Sequence, residues 1–199
     1  MNSIELAKKV IHAEARALDL IADQLDESFS TAVKLLSECR GTVIVSGVGT
    51  TGTVARRFAH LLSNVGCPAL FLHACDSLHG SSGAVKEEDV LFLLSKTGET
   101  KETCGLAEIV QPRGSVIISL TAEADSTIAH LSQVVVTVKT PPEVDPYDGL
   151  MAVGSSLAME SVCDALVFGV LEAKGTPQER FVNGHPGGII NALSQDNSK

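Results

Sequence analysis

A chain of 199 residues with 15 Lys and Arg against 24 Asp and Glu carries a formal charge of −9, and its densest basic cluster is only Arg56-Arg57. Such a field repels nucleic-acid backbones and anionic lipid, so composition excludes both as partners and requires any phosphorylated ligand to be captured locally, by oriented N–H groups and hydroxyls. The length suits a single domain, 1–199, and with no Trp, one Tyr and six Phe its core must be built from Ala, Val, Leu and Ile, as helices on a parallel sheet require.

The first forty residues read as two helices that pack on the domain or on a neighbouring subunit. Leu6, Val10, Ala13, Ala17, Leu20, Ile21 and Leu25 follow helical spacing, and Ser28 or Ser30 is placed to cap the second helix. From Thr42 the rhythm changes. The β-branched run 42–46 stops at Gly47-Val48-Gly49, and a helical pattern follows over 51–64. Strands are predicted at 68–72, 90–94, 115–120 and 134–138, with helices at 76–80, 101–110 and 126–131 between them. Residues 140–148 hold three prolines and three acids and read as a loop. A long apolar helix, 150–174, is closed by Gly175, and a short helix at 177–182 leads to His185-Pro186-Gly187-Gly188 and a polar tail. The alternation predicts a three-layer α/β sandwich whose five-stranded parallel sheet has the flavodoxin-like order 2-1-3-4-5.

Two clusters follow directly on strands. Ser46-Gly47-Val48-Gly49-Thr50-Thr51-Gly52 runs straight into a helix, where glycines allow close backbone approach and free N–H groups favour an anion. Its glycines match G-x-G-x-x-G in form, but Leu70-Phe71-Leu72-His73 puts no acid at the end of the next strand, and the Lys-Ser/Thr of a P-loop is missing. A tight strand–helix turn would look the same. The second cluster, Ser95-Lys96-Thr97-Gly98-Glu99-Thr100-Lys101-Glu102, places three hydroxyls around a glycine, where they can converge on one phosphate; it also fits a helix capping box.

These two segments resemble the paired phosphate-binding loops of SIS (sugar isomerase) domains. With His79-Gly80, Glu143-Val144-Asp145-Pro146 and His185-Pro186-Gly187-Gly188, in order and spacing, the chain is similar over nearly its whole length to the isomerase domain of D-arabinose-5-phosphate isomerases. The resemblance implies Thr51, Ser95, Thr97 and Thr100 as phosphate binders, beside Ser46, Gly49 and Thr50 of the first loop. It implies Glu102 and Glu143 as catalytic acids and bases, with His79 and His185. Two features depart from that family. Thr50 stands where its lysine follows the first Gly-x-Gly, and the CBS domains that usually follow are lacking, which implies a stand-alone or differently regulated form.

Aldose–ketose isomerisation moves a proton between C1 and C2 through an enediol. It needs a base of near-neutral pKa and a group that protonates the carbonyl oxygen, and it calls for no cofactor. Taken alone, Glu102 reads as a solvated first-turn acid, Glu143 as a loop acid beside Asp145 and Asp148, His79 as a helix cap and His185 as structural. The resemblance raises all four. The alternative is a non-catalytic phosphosugar sensor using the same loops, which Thr50 favours. Cys39, Cys67, Cys75, Cys104 and Cys163, odd in number and without a CxxC, predict free thiols in a reducing cytoplasm and no metal site. The helix at 150–174 is apolar nearly all round, which predicts burial against another subunit. The resemblance implies a homotetramer, or a dimer, in which His79 or His185 reaches a neighbour's phosphate loops.

Overall fold

The computed structural model describes residues 2–185. Beyond His185 itself, the predicted His-Pro-Gly-Gly turn and the tail lie outside the described residues. Two helices open the chain, α1 (Ser3–Gln24) and α2 (Glu27–Ser37). A reciprocal cap starts α1: Asn2 Oδ1 accepts from Glu5 N at 2.9 Å, and Glu5 Oε2 accepts from Asn2 N at 3.1 Å. For α2 the expected serine caps are wrong. Asp26 is the cap, taking the Ser28 N–H at 2.8 Å and the Ser28 hydroxyl at 2.6 Å, and a carboxylate there also suits the helix dipole.

The α/β unit runs β1 (Val43–Ser46), α3 (Gly49–Asn64), β2 (Ala69–Phe71), α4 (Ala74–Ser77), β3 (Val90–Leu94), α5 (Lys101–Val110), β4 (Val116–Thr121), α6 (Thr127–His130), β5 (Val134–Thr137), α7 (Gly154–Lys174) and α8 (Gln178–Asn183). All pairings are parallel and the order is β2-β1-β3-β4-β5, as the alternation of elements predicts. Two boundaries differ from expectation. The short α4 begins earlier, because His73 Nδ1 caps it by accepting from Cys75 N at 3.3 Å. The long α7 begins at Gly154 rather than Leu150, because the preceding residues turn through three left-handed positions, Tyr147, Asp148 and Gly149, at φ 55°, 54° and 89°.

The central strands β1, β3 and β4 are largely apolar on both faces, and their two faces feed two cores. Val43, Val45, Phe92, Leu94, Ile118 and Leu120 point toward α2, α3 and α7, where Phe58 meets Phe92 edge-on with ring centroids 4.9 Å apart. Ile44, Leu91, Leu93 and Ile117 point the other way, onto Leu106, Ala107 and Val110 of α5. The apolar surplus of α7, expected to need another subunit, is largely covered within the chain by α1, α2 and α3. Leu157 and Phe168 are its large apolar side chains left exposed.

Candidate active site

Chain order decides where a ligand fits. From β1 the chain moves to β2 on one side and returns to β3 on the other, so the connections leaving β1 and β3 diverge and open a crevice at their carboxyl ends. Both hydroxyl clusters lie on these connections.

The first loop is held by glycine packing. A Cβ on Gly47 would stand 2.9 Å from the Thr51 carbonyl carbon, and one on Gly52 would stand 3.0 Å from Gly47 O. Gly49 opens α3 in the left-handed region at φ +58°, and α3 has neither a side-chain cap nor an acid in its first turn. Its first N–H groups are therefore open to an anion. Ser46 is fully buried and its Oγ has no partner among the described residues. Thr50 is exposed. The Thr51 hydroxyl turns inward and donates to Val48 O at 2.9 Å, so it supports the loop in this state.

The second loop is pinned at several points. Gly98 N donates to Ser95 Oγ at 3.1 Å, and Ser95 Oγ lies 2.9 Å from Thr100 Oγ1. Thr97 Oγ1 accepts from Glu99 N at 3.2 Å, which leaves its own proton free to donate. Gly98, at φ +69°, lies so close to α6 that a Cβ would stand 1.9 Å from Ser126 Oγ. The Glu99 carboxylate accepts from the Thr127 N–H at 2.8 Å and the Thr127 hydroxyl at 2.7 Å, and these bonds hold its pKa below the ordinary glutamate value. Three hydroxyls, from Ser95, Thr97 and Thr100, are thus preset around one turn.

The candidate acids and bases are spread around this loop. Glu102 is half-buried in the first turn of α5, directly after Thr100. Glu143 is exposed in a 3-10 turn, Pro142–Val144, on the connection from β5. His79 is exposed just past α4, on the β2 side, and it is His73, not His79, that caps this helix. His185 is the exception. It lies two residues past α8, with Nδ1 2.7 Å from Phe181 O and its ring 4.3 Å from the Phe181 ring. The segment before it packs on Val65 and Gly66, which precede β2: Thr176 Oγ1 donates to Val65 O at 2.7 Å, and Arg180 lies against Gly66. The segment leading to His185 thus packs by the amino end of β2, whereas its own chain's hydroxyl loops lie at the carboxyl ends of β1 and β3.

Sequence reasoning gave no role to Lys96 or to Asp145. In the structure Asp145 is buried and paired with Lys96 at 2.7 Å. Burial pushes the Asp145 pKa up, but hydrogen bonds from Lys96 and from the Ser155 and Val153 amides outweigh it and leave the group below its ordinary value. One signal was available: α7 has no Ser, Thr, Asp or Asn directly before it, so its first N–H groups had to find an acceptor upstream.

A family model described as SIS domain matches residues 35–168. The chain belongs to the SIS domain family. The arabinose 5-phosphate isomerase KdsD of Pseudomonas aeruginosa is 30% identical over 190 residues, which cover 96% of this chain and 58% of that protein. The arabinose 5-phosphate isomerase KdsD of Escherichia coli K12 is 30% identical over 186 residues, covering 94% and 56%. The chain therefore spans a little over half the length of these relatives. Among solved structures, the c3406 protein of E. coli CFT073 superposes with a TM-score of 0.88 at 31% identity, over 94% of this chain and 100% of that one. The Vibrio vulnificus NanR protein complexed with ManNAc-6P superposes with a TM-score of 0.81 at 21% identity, over 94% and 69%, a likeness of fold.

Proposed function

We propose that the chain is a sugar-phosphate isomerase that interconverts an aldose phosphate and a ketose phosphate through an enediol, with arabinose 5-phosphate and ribulose 5-phosphate the first pair to test. The observation that carries this is the pinned loop 95–100, whose hydroxyls converge beside the uncapped start of α3 at the point where the sheet order reverses. The named activity of the two KdsD relatives supports it.

In this scheme Thr97, Thr100 and the first N–H groups of α3, at Gly49, Thr50 and Thr51, donate to the phosphate, with Ser46 and Ser95 beneath them. No fixed cation is needed where several donors converge on the charge. The open-chain aldose loses its C2 proton to a carboxylate while its O1 gains a proton, giving the enediol; O2 then gives up its proton and C1 receives one. Glu143 and Glu102 are the carboxylates for these transfers, and His79 and His185 serve ring opening and the oxygen protons. His185 is remote from its own chain's loops, so it is assigned to a neighbouring subunit's site, in a homotetramer or homodimer with shared sites.

A coupled assay over pentose and hexose phosphates tests the reading. Turnover of at least one, reduced by Glu143→Gln with binding retained, is the expected result. A second reading, a phosphosugar sensor without catalysis, draws on uncharged Thr50 and on the inward-turned Thr51 hydroxyl. Tight binding without turnover of any sugar in the panel would establish it and discard the isomerase.

A further inference from the structure

Lys96 stands where several connections meet. Its carbonyl accepts from Ala122 N at 2.9 Å and from Thr121 Oγ1 at 3.3 Å, at the end of β4. Its ammonium donates to Asp145 Oδ2 at 2.7 Å and to Gly149 O at 2.7 Å, on the connection from β5 to α7. The other Asp145 oxygen accepts from Val153 N at 2.7 Å and Ser155 N at 3.0 Å, at the start of α7. Lys96 therefore fastens the hydroxyl loop to the next two connections along the sheet, by its carbonyl to the one from β4 and by its ion pair to the one from β5.

The fastening is stiff for reasons of burial and backbone. The Asp145 side chain is 1% exposed, and a carboxylate so enclosed is stable only when its charge is paired and its oxygens are hydrogen-bonded, as both are here. The left-handed run Tyr147-Asp148-Gly149 brings the Gly149 carbonyl to Lys96. Gly154 sits so close to Val144 that an added Cβ would stand 2.5 Å from Val144 Cβ, which locks the turn carrying Glu143 onto α7. Glu143 itself makes no hydrogen bond among the described residues, so its position is inherited from this frame.

We propose that the Lys96–Asp145 pair is a specificity-determining tie: it fixes the span from the hydroxyl loop to Glu143, and with it the number of carbons a sugar phosphate may have between its phosphate and its reacting carbon. This rests on the isomerase reading. Pentose and hexose phosphates differ by one carbon, about 1.5 Å of bond length, so a rigid span aligns C2 of one and misaligns the other. A misplacement of about 1 Å can cost about 100-fold in rate. Lys96 and Asp145 touch no substrate in this scheme. They are positioning residues.

The test measures kcat and KM for arabinose 5-phosphate and glucose 6-phosphate with wild type, Asp145→Asn, Lys96→Met and Lys96→Arg. In Lys96→Met and Asp145→Asn the kcat on the preferred sugar is expected to fall at least about 10-fold, with KM nearly unchanged, and the kcat/KM ratio between the two sugars to narrow by about 10-fold. Lys96→Arg, which can bridge Asp145 and the Gly149 carbonyl, should restore the ratio lost in Lys96→Met. A merely structural role would lower the melting temperature and slow both sugars alike, leaving the ratio where it was, and that result overturns the proposal. A raised KM with kcat intact overturns it too, by assigning Lys96 to the phosphate. If Asp145→Asn does not fold, Lys96→Met, which leaves the Asp145 amide bonds in place, decides the matter. Wild type inactive on every sugar phosphate would sink the isomerase reading and this inference together; an active wild type with an unmoved ratio sinks the inference alone.

Discussion

Ser95 acts at one remove from any ligand. It is 1% exposed, and its oxygen already accepts the Gly98 N–H, so its proton is best placed on Thr100 Oγ1, which frees the half-buried Thr100 hydroxyl to donate outward. The opposite orientation would leave a buried Ser95 proton without an acceptor. Thr97→Ala is predicted to weaken sugar-phosphate binding by roughly 1.5–3 kcal/mol, the loss expected for a hydrogen bond to a charged group, and Ser95→Ala to weaken it by less, since Ser95 acts only by orienting the Thr100 hydroxyl. Calorimetric titration measures this, and an unchanged affinity in the double variant contradicts the assignment. Glu143→Gln should instead depress kcat while ligand affinity persists, since its part belongs to the transition state. The hydroxyls were legible in the sequence because they lie within one loop, where spacing alone brings them together. Asp145 and Glu99 were not: their partners Lys96 and Thr127 lie 49 and 28 residues away. Local pattern carries no record of such pairs, and it equally could not tell at which end of the strands His185 would come to rest.

At the scale of elements, the hydroxyl loop keeps its shape through close approach to α6 rather than through its own hydrogen bonds alone. Gly98 combines φ +69° with a contact that an added Cβ would violate, whereas nothing lies within 4 Å of a Cβ added at Gly83. Gly98→Ala is therefore predicted to cost about 1–3 kcal/mol or more in urea denaturation, as overpacked and strained sites do, with Gly83→Ala close to neutral. Equal effects of the two would show that the loop does not depend on this packing. Strands and their order were legible because mostly apolar runs of four to six residues separated by helices leave few arrangements open. The start of α7 was not, since the residues before Gly154 are as apolar as the helix, and only the left-handed turn and the Asp145 bonds set the boundary. Much of its apolar surplus is covered by α1 and α2, which pack on the domain, one of the two places the sequence left open for them.

For the whole molecule, charge and assembly are the properties to measure. The depressed Asp145 pKa means that its carboxylate stabilises the fold fully above its ordinary value of 3.8 and loses that contribution as pH falls through the lower folded value. Asp145→Asn should flatten this acid limb, which melting temperatures between pH 5 and 2 would reveal; an unchanged limb would contradict the account of its hydrogen bonds. The shared-site proposal predicts that mixing a Ser95→Ala protein with a His185→Ala protein, each impaired alone, gives more activity than either through hybrid sites. Without such recovery, His185 has no role in a neighbour's chemistry. The most direct measurement of the central claim is solvent-hydrogen exchange at C2. Wild-type protein in deuterium oxide with arabinose 5-phosphate is predicted to place deuterium at C2 of the recovered sugar, and the Glu143→Gln variant to do so far more slowly. Binding of the sugar phosphate with no deuterium at C2 in wild type would contradict the isomerase and leave a protein that only holds its ligand.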